Sequence, residues 1–161
     1  MAGALRPALL LSLFPKAEVD VFLLVLDAHG GESAACVVAA SCALARAGVP
    51  LRDLVWAATV ARSPRPPHDL VADPTAFEVD ACDGCAVFVA ALSACEEVVA
   101  VAAAGPWPPG HDATAEAVEL AIDVVKGVDE PLRAALRTAA AVDVRERATA
   151  EAALQLAHPP A

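Results

Sequence analysis

The stretch that decides the fold is VDVFLLVLDAHGGESAACVVAASCALARAGVP, residues 19–50. It opens with nearly continuous β-branched and aliphatic side chains over residues 19–26, which predicts a strand buried on both faces. A turn containing Gly30 and Gly31 follows. Residues 32–47 are mostly small, which predicts a helix whose backbone can lie close to a sheet. The order strand, glycine turn and helix favours an architecture of helices packed on a sheet.

Patterns on either side of this stretch complete the prediction. Alternation through Trp56 predicts a half-buried strand, and we expect Gly127 to end a helix. The pattern decays after Ala141, so the tail is expected to be frayed. The other elements, in chain order, are a helix at 4–13, the strand at 53–61, a Pro-rich surface loop at 62–75, a hairpin of strands 86–92 and 97–103, a helix from Asp112, and a last helix capped by Asp129. Together they predict an α/β sandwich with a mixed sheet.

Composition and charge limit the possible functions. The 161 residues suffice for one domain and are 58% hydrophobic, which excludes a disordered chain. The 11 basic and 21 acidic residues give a net charge of −10. Since Lys and Arg supply most non-specific nucleic-acid affinity, the chain alone is a poor RNA binder, though it could contribute to RNA binding inside an assembly. No apolar run reaches the ~20 residues of a membrane span.

Five cysteines include a lone CxxC, Cys82-Asp-Gly-Cys85. A structural zinc site needs four ligands, and the sequence offers no second pair. A thioredoxin-like site should open a helix after a strand, whereas Asp83-Gly84 predicts a turn leading into a strand. We therefore expect reduced, buried thiols, with no metal and no cofactor.

The region 4–55 resembles the second half of the first domain of RNase PH and its relatives in the RNA exosome ring. The matching motifs are AL-x-PA at 4–8, FPK at 14–16, the glycine pair at 30–31, and AGVPLRDLV at 47–55. The resemblance implies a mixed α/β (α+β) fold of the ribosomal protein S5 domain 2 type. In the family, further strands precede the first matched helix, so the expected domain is incomplete at its N-terminus. The implied boundaries are 4–62 for the second half of domain 1, 63–75 for a loop, 76–145 for a domain 2-like region, and 146–161 for the tail.

A finer resemblance comes from Leu70-Val-Ala-Asp-Pro-Thr75 and Glu78. These residues look most like the messenger-RNA-transport-regulator (third) subunit type of the eukaryotic exosome, with the ring's active-type subunit as the alternative. The implied partners are other RNase PH-like ring subunits, cap subunits, and RNA through the assembled complex, with no membrane. The implied compartments are the nucleus, including the nucleolus, and the cytoplasm.

The resemblance also implies a phosphate site, which this chain has altered. Family members hold phosphate after the glycine turn with a Ser or Thr and then an Arg. Here the turn Gly30-Gly31 is followed by Glu32 and Ser33. A neutral hydroxyl replaces the bidentate guanidinium, and a carboxylate is added where an anion would bind. These four positions are therefore expected to be a vestigial phosphate turn.

Active family members use two acids to bind metal and protonate the leaving group. Asp73 matches the first position, and the second falls near Val79, with Asp80 one residue away. A shift of one residue usually points a side chain elsewhere, so Asp73 is expected to be a vestigial acid.

The sequence therefore predicts a non-catalytic, RNase PH-like structural subunit that supports 3′-to-5′ RNA processing and degradation. Two alternatives stay open: an active phosphate-dependent 3′-to-5′ exoribonuclease, and a truncated paralogue without function. Candidate RNA contacts are Arg62, Arg65, Arg133 and Arg137, for which ordinary solvated surface is the competing interpretation.

Overall fold

The structure is a computed structural model that describes residues 2–94, 97–107 and 111–157. The chain divides into two compact units, Met1–Asp129 and Glu130–Ala161. The helices are α1 (Ala2–Leu5), α2 (Glu32–Arg46), α3 (Ala76–Ala81) and α4 (His111–Ala157), with 3-10 turns at Arg6–Ala8 and Leu11–Leu13. The strands are β1 (Val55–Arg62), β2 (Leu70–Ala72), β3 (Ala86–Leu92) and β4 (Val98–Ala104).

The four strands form one sheet in the order β2-β1-β3-β4. Every neighbouring pair is antiparallel, with Thr59 opposite Phe88 and Val60 opposite Ala72. The predicted hairpin of β3 and β4 is confirmed, although part of its turn (95–96) lies outside the described residues. The helix-and-sheet class is confirmed as α+β, but the mixed sheet is wrong. A parallel pair would have needed the strand expected before α2, and that strand does not form.

Helix α2 packs against the sheet, as predicted, through a buried face that combines small residues with Val37 and Leu44. Val37, Ala40 and Leu44 share a buried cluster with Val55 and Leu92. Helix α2 lies close enough to β1 for a hydrogen bond between them: the backbone N–H of Val55 donates to Ser41 Oγ at 2.9 Å. This bond satisfies a buried donor at the start of β1.

Strand β1 is buried on both faces, so the expected half-buried strand is wrong. Val55 faces the α2 cluster, whereas Trp56 is fully buried and donates from Nε1 to Asp129 Oδ1 at 2.5 Å. Ser93 also donates to that carboxylate. The alternating pattern of β1 failed as a guide because alanine fits a buried face as well as an exposed one.

Residues 19–26, predicted as a buried strand, form no strand and are exposed. Phe22, Leu24 and Leu26 are 93%, 84% and 88% exposed, whereas Val21, Leu23 and Val25 are 39%, 38% and 50% exposed. This period of two is that of extended chain. Within the described residues, no other segment pairs with its backbone. The apolar run correctly predicted an extended segment, but a sequence pattern does not show whether another strand pairs with it.

The expected single helix at 4–13 is also wrong, because it is broken into short turns. Leu9 is extended and forms an isolated bridge with Leu51. The N–H of Arg52 donates to the carbonyl of Ala8 at 2.7 Å. This backbone pairing takes the chain out of helical geometry immediately after Ala8.

The expected loop at 62–75 contains the short strand β2, which pairs with the end of β1. Helix α3 follows directly and was not predicted. Thr75 and Glu78 form a capping box: the Thr75 side chain accepts from the Glu78 N–H, and the Glu78 carboxylate accepts from the Thr75 N–H. The T-x-x-E spacing was the available sequence signal.

Helix α4 runs without interruption through Gly127 and Pro131 and past Ala141. The predicted stop at Gly127 is therefore wrong, as are two separate helices, whereas the frayed tail at 146–161 stays a prediction. Gly127 is helical here, and an added Cβ would meet nothing within 4 Å. Proline costs about 3 kcal/mol in a helix interior, and the alanine, leucine and arginine residues after Pro131, which favour helix, offset part of that cost. None of the described helices is long and apolar enough to cross a bilayer.

Candidate phosphate-turn site

The glycine turn before α2 is packed against the turn before α3. Gly30 has a φ of 114° and Gly31, the N-cap of α2, a φ of 71°. A Cβ on Gly30 would lie 2.5 Å from the Ala76 nitrogen and 2.5 Å from the Pro74 oxygen. The Ala76 N–H donates to the carbonyl of His29 at 2.5 Å. Only glycine fits at position 30, because both conformation and space exclude a side chain.

The structure brings the predicted acid Asp73 to this turn. Its Oδ1 lies 2.9 Å from the point that a Cβ on Gly31 would occupy. The Asp73 N–H donates to the carbonyl of Thr59 at 2.8 Å, which ties this turn to β1. Thr59 was missed from the sequence, since only sheet pairing joins it to the turn and no local motif signals that contact.

Glu32 closes the turn with its own carboxylate. Its Oε1 accepts a hydrogen bond from the Gly30 N–H at 2.8 Å. That bond, followed by a bond from its own backbone N–H and the nearby His29, lowers the Glu32 pKa below its ordinary value. The carboxylate is therefore ionised at neutral pH and occupies a backbone donor that would otherwise face an incoming anion.

A cavity of about 370 Å³ lies between the glycine turn, α3 and the sheet. Glu32 and Asp80 are the ionisable groups on its wall, and within the described chain neither lysine nor arginine lines it. Asp80, expected to point elsewhere, therefore lines the site beside Val79. The other lining residues are Gly30, Gly31, Ser33, Thr59, Ala76, Ala86, Phe88, Ala102, Ala103 and Ala104. The cavity walls are thus acidic and apolar.

The four candidate RNA-binding arginines are divided between the two compact units of the chain. Arg62 ends β1 and Arg65 lies in the exposed loop after it, and neither lines the cavity. Arg133 and Arg137 belong to the Glu130–Ala161 unit, where Arg137 pairs with Glu130 at 3.1 Å. Their role in RNA contact stays a prediction.

Four cysteines are free thiols within the described residues. Cys82 and Cys85 are buried, Cys36 and Cys42 are half-buried, and Cys95 lies outside the described part of the chain. Burial raises the pKa of Cys82 and Cys85, which keeps both protonated and poorly nucleophilic. Across the described ranges, no group of three or more His, Cys, Asp or Glu side chains could hold a metal ion.

Comparison with known proteins identifies the N-terminal region. Residues 1–50 match the model of the 3′ exoribonuclease family, domain 1 (RNase PH). The chain is 60% identical over 55 residues to the exosome complex component Rrp41 of Thermococcus gammatolerans, and 56% identical over 54 residues to that of Cenarchaeum symbiosum. Each match covers 34% of this chain and 22% of the relative. The chain therefore matches about a fifth of the length of these curated relatives.

Solved structures show the same fold over a longer stretch. Rice (Oryza sativa) Rrp46 aligns with a TM-score of 0.63 at 15% identity, covering 70% of this chain and 51% of that one. An Archaeoglobus fulgidus exosome with RNA bound to the active site aligns with a TM-score of 0.51 at 18% identity, covering 66% and 45%. The chain therefore shares the fold of these exosome subunits, and its residues 1–50 match domain 1 of the 3′ exoribonuclease family.

Proposed function

We propose that this chain is a non-catalytic, RNase PH-like structural subunit of the RNA exosome ring, which supports 3′-to-5′ RNA processing and degradation. The hydrogen bond from Gly30 N–H to the Glu32 carboxylate carries this proposal. A phosphorolytic enzyme must bind inorganic phosphate beside the RNA end. Here a carboxylate of the chain itself already occupies a donor of the turn that would bind it.

The charge on the cavity wall supports the same conclusion. An incoming phosphate would meet the carboxylates of Glu32 and Asp80, with no guanidinium on the described wall to offset them. Ser33, at the position where the family resemblance implies arginine, offers one neutral hydroxyl in place of a bidentate donor. Both changes weaken phosphate binding, because one removes attraction and the other adds repulsion.

The proposed partners are other RNase PH-like ring subunits and cap subunits, with RNA bound through the assembled complex. The structural relatives described as an archaeal exosome core and as an exosome with bound RNA support this assembly. The nucleus with its nucleolus, and the cytoplasm, belong to the same proposal. Within the ring, we assign the chain to the third subunit type, with the active-type subunit as the alternative.

An active exoribonuclease is the second candidate, favoured by the position of the acids. Asp80 lines the cavity and Asp73 lies against Gly31, so the site retains two carboxylates where family members use a pair. This candidate still requires a phosphate site that tolerates Glu32.

Incubation of the purified chain with uniformly labelled RNA and inorganic phosphate tests the proposal. We expect nucleoside diphosphate release no greater than that of the matched variant Asp73→Asn/Asp80→Asn. Phosphate-dependent release that this double variant abolishes would establish the active enzyme instead. A second variant, Glu32→Ser/Ser33→Arg, should bind phosphate more tightly than the parent chain, because it restores the guanidinium and removes the carboxylate.

A further inference from the structure

The turn between α3 and β3 brings two cysteines together. Cys82 is the C-cap of α3, and the Cys85 N–H donates to the Cys82 carbonyl at 2.9 Å. The two residues between them, Asp83 and Gly84, have φ values of 53° and 71°. A turn closed by such a bond holds its end Cα atoms within about 7 Å, and disulfides span Cα separations of about 4.4–6.8 Å. The backbone therefore places Cys82 and Cys85 within reach of a disulfide.

The turn is held in this conformation from two sides. The Gly84 N–H donates to the Val79 carbonyl at 2.9 Å, which ties the turn to its own helix. On the other side, a Cβ on Gly105 would lie 2.5 Å from the Gly84 oxygen and 2.6 Å from the Cys85 nitrogen, so the chain at Gly105 packs directly on the turn. The separation of the two thiols is therefore set by the folded backbone.

The two thiols are buried and differ in the charges around them. Burial, followed by the carboxylates of Glu78 and Asp83, raises the pKa of Cys82. Burial also raises the pKa of Cys85, but the Arg62 guanidinium opposes that rise and stabilises a thiolate there. We therefore take Cys85 as the sulfur that attacks first, and burial as the reason that the pair is reduced until an oxidant is present.

We propose that Cys82 and Cys85 are a peroxide-sensitive dithiol whose disulfide ties the end of α3 to the start of β3. The Cys85 sulfur attacks one oxygen of hydrogen peroxide, the O–O bond breaks, and a sulfenic acid and water result. The Cys82 sulfur then attacks the Cys85 sulfur, the S–O bond breaks, and the oxygen leaves as water with the Cys82 proton. In sum, the two thiols lose two hydrogen atoms and one hydrogen peroxide becomes two water molecules.

The disulfide acts on the candidate site through α3. Val79 and Asp80 of this helix line the acidic cavity, and Cys82 caps the same helix. Because α3 has six residues, it is a short element that opens locally at low free energy. A covalent bond at its C-terminal end limits that opening and holds Asp80 on the cavity wall. The inference goes beyond the proposed function, since a peroxide assay and the RNA assay above can fail independently.

Hydrogen peroxide treatment of the whole chain, followed by alkylation and peptide mass mapping, tests the proposal. The variant Cys36→Ala/Cys42→Ala/Cys95→Ala keeps only the pair. We expect it to lose two hydrogen atoms through a link between Cys82 and Cys85 that dithiothreitol reverses. The same mapping on the parent chain makes the result independent of how well this variant folds. A link to a third cysteine, a link between two chains, or two unlinked cysteines after excess peroxide would overturn the proposal.

An equilibrium measurement distinguishes the folded turn from any two cysteines that are close in sequence. In glutathione buffers, the disulfide should form in the folded chain with an equilibrium constant about tenfold larger than in the chain unfolded in urea, because the folded turn holds the thiols together. Equal constants would show that the fold does not favour the bond, and the proposal would then be wrong.

Amide hydrogen exchange measures the effect on α3. After oxidation, the amides of Val79, Asp80 and Cys82 should exchange roughly tenfold more slowly, while those of β1 should not change. The matched variant Cys82→Ser/Cys85→Ser should show no change with peroxide. Unchanged exchange in α3 of the oxidised parent chain would contradict the proposed tie between α3 and β3.

Discussion

Strand β1 and the segment 19–26 are both apolar, yet only one of them becomes part of the core. The segment is interrupted only by Asp20, whereas β1 carries Thr59 and Arg62. The less apolar stretch is nevertheless the buried one. It pairs with β3 along nearly its whole length and with β2 at its end.

The difference teaches that pairing, as well as hydrophobicity, determines which strand is buried. A strand cannot be enclosed by apolar side chains while its backbone groups lack partners, because an unpaired buried N–H or C=O costs about as much as a lost hydrogen bond. β1 has partners in the described chain and the segment has none. The segment therefore remains where water can satisfy its backbone.

The largest expected effect comes from emptying the core around β1. Trp56→Ala removes a fully buried indole and its bond to Asp129, and should destabilise the fold by about 3–5 kcal/mol. Phe22→Ala in the segment should change stability by no more than about 0.5 kcal/mol. Urea unfolding of both variants measures the contrast. Comparable losses would show that the segment is packed after all.

The second-largest loss of stability is expected from a substitution in the turn that joins the segment to α2. Gly30→Ala forces a side chain into a φ of 114° and against the backbone of Pro74 and Ala76. We expect a loss of about 1–3 kcal/mol from the backbone conformation, with a further cost from displacing the neighbouring turn. Gly48→Ala is the control, since Gly48 also has a positive φ but open space around it. Thermal unfolding should show the larger loss for Gly30→Ala, and equal losses would contradict the packed turn.

A smaller loss of stability is expected when the buried backbone N–H at the start of β1 loses its acceptor. Ser41→Ala removes the acceptor for the buried Val55 N–H and should cost about 1–3 kcal/mol. The exposed Ser33, in the same helix, serves as the matched control, because Ser33→Ala should be close to neutral. Denaturant titration would contradict the assignment if the two variants behaved alike.

The comparison of β1 with residues 19–26 also explains which structural features could be predicted from the sequence. Local patterns identified α2, β1, the β3–β4 hairpin and the glycine turn, because small-residue helices, alternating strands and Gly-Gly turns act over a few residues. They failed at residues 19–26, where burial depended on a partner strand. They also failed at Gly127, whose helical backbone continues because nothing there requires a stop.

In the candidate site, too, some features could be predicted from the sequence and others could not. The resemblance singled out Gly30, Glu32 and Asp73, and the structure brings the turn and the acid together. The Glu32 bond to Gly30 and the position of Asp80 on the cavity wall could not be predicted, since both depend on how two separate turns pack.

The smallest expected effect is a pH dependence at the glycine turn. The folded pKa of Glu32 is lowered by its bond to Gly30, so its stabilisation is present above the pKa that Glu32 has in the unfolded chain. That stabilisation is lost as the pH falls through the lower folded pKa. Glu32→Gln should therefore be less stable than the parent at neutral pH, with the gap closing in acid. A gap that stays constant from neutral to acidic pH would contradict the bond.

Native amide hydrogen exchange tests the contrast between the two regions most directly. The account predicts that amides of residues 20–26 exchange near the rate of unstructured chain, while those of residues 56–61 are protected at least ~100-fold. Protection of the segment to the same degree as β1, in protein shown to be monomeric and free of partner, would contradict it.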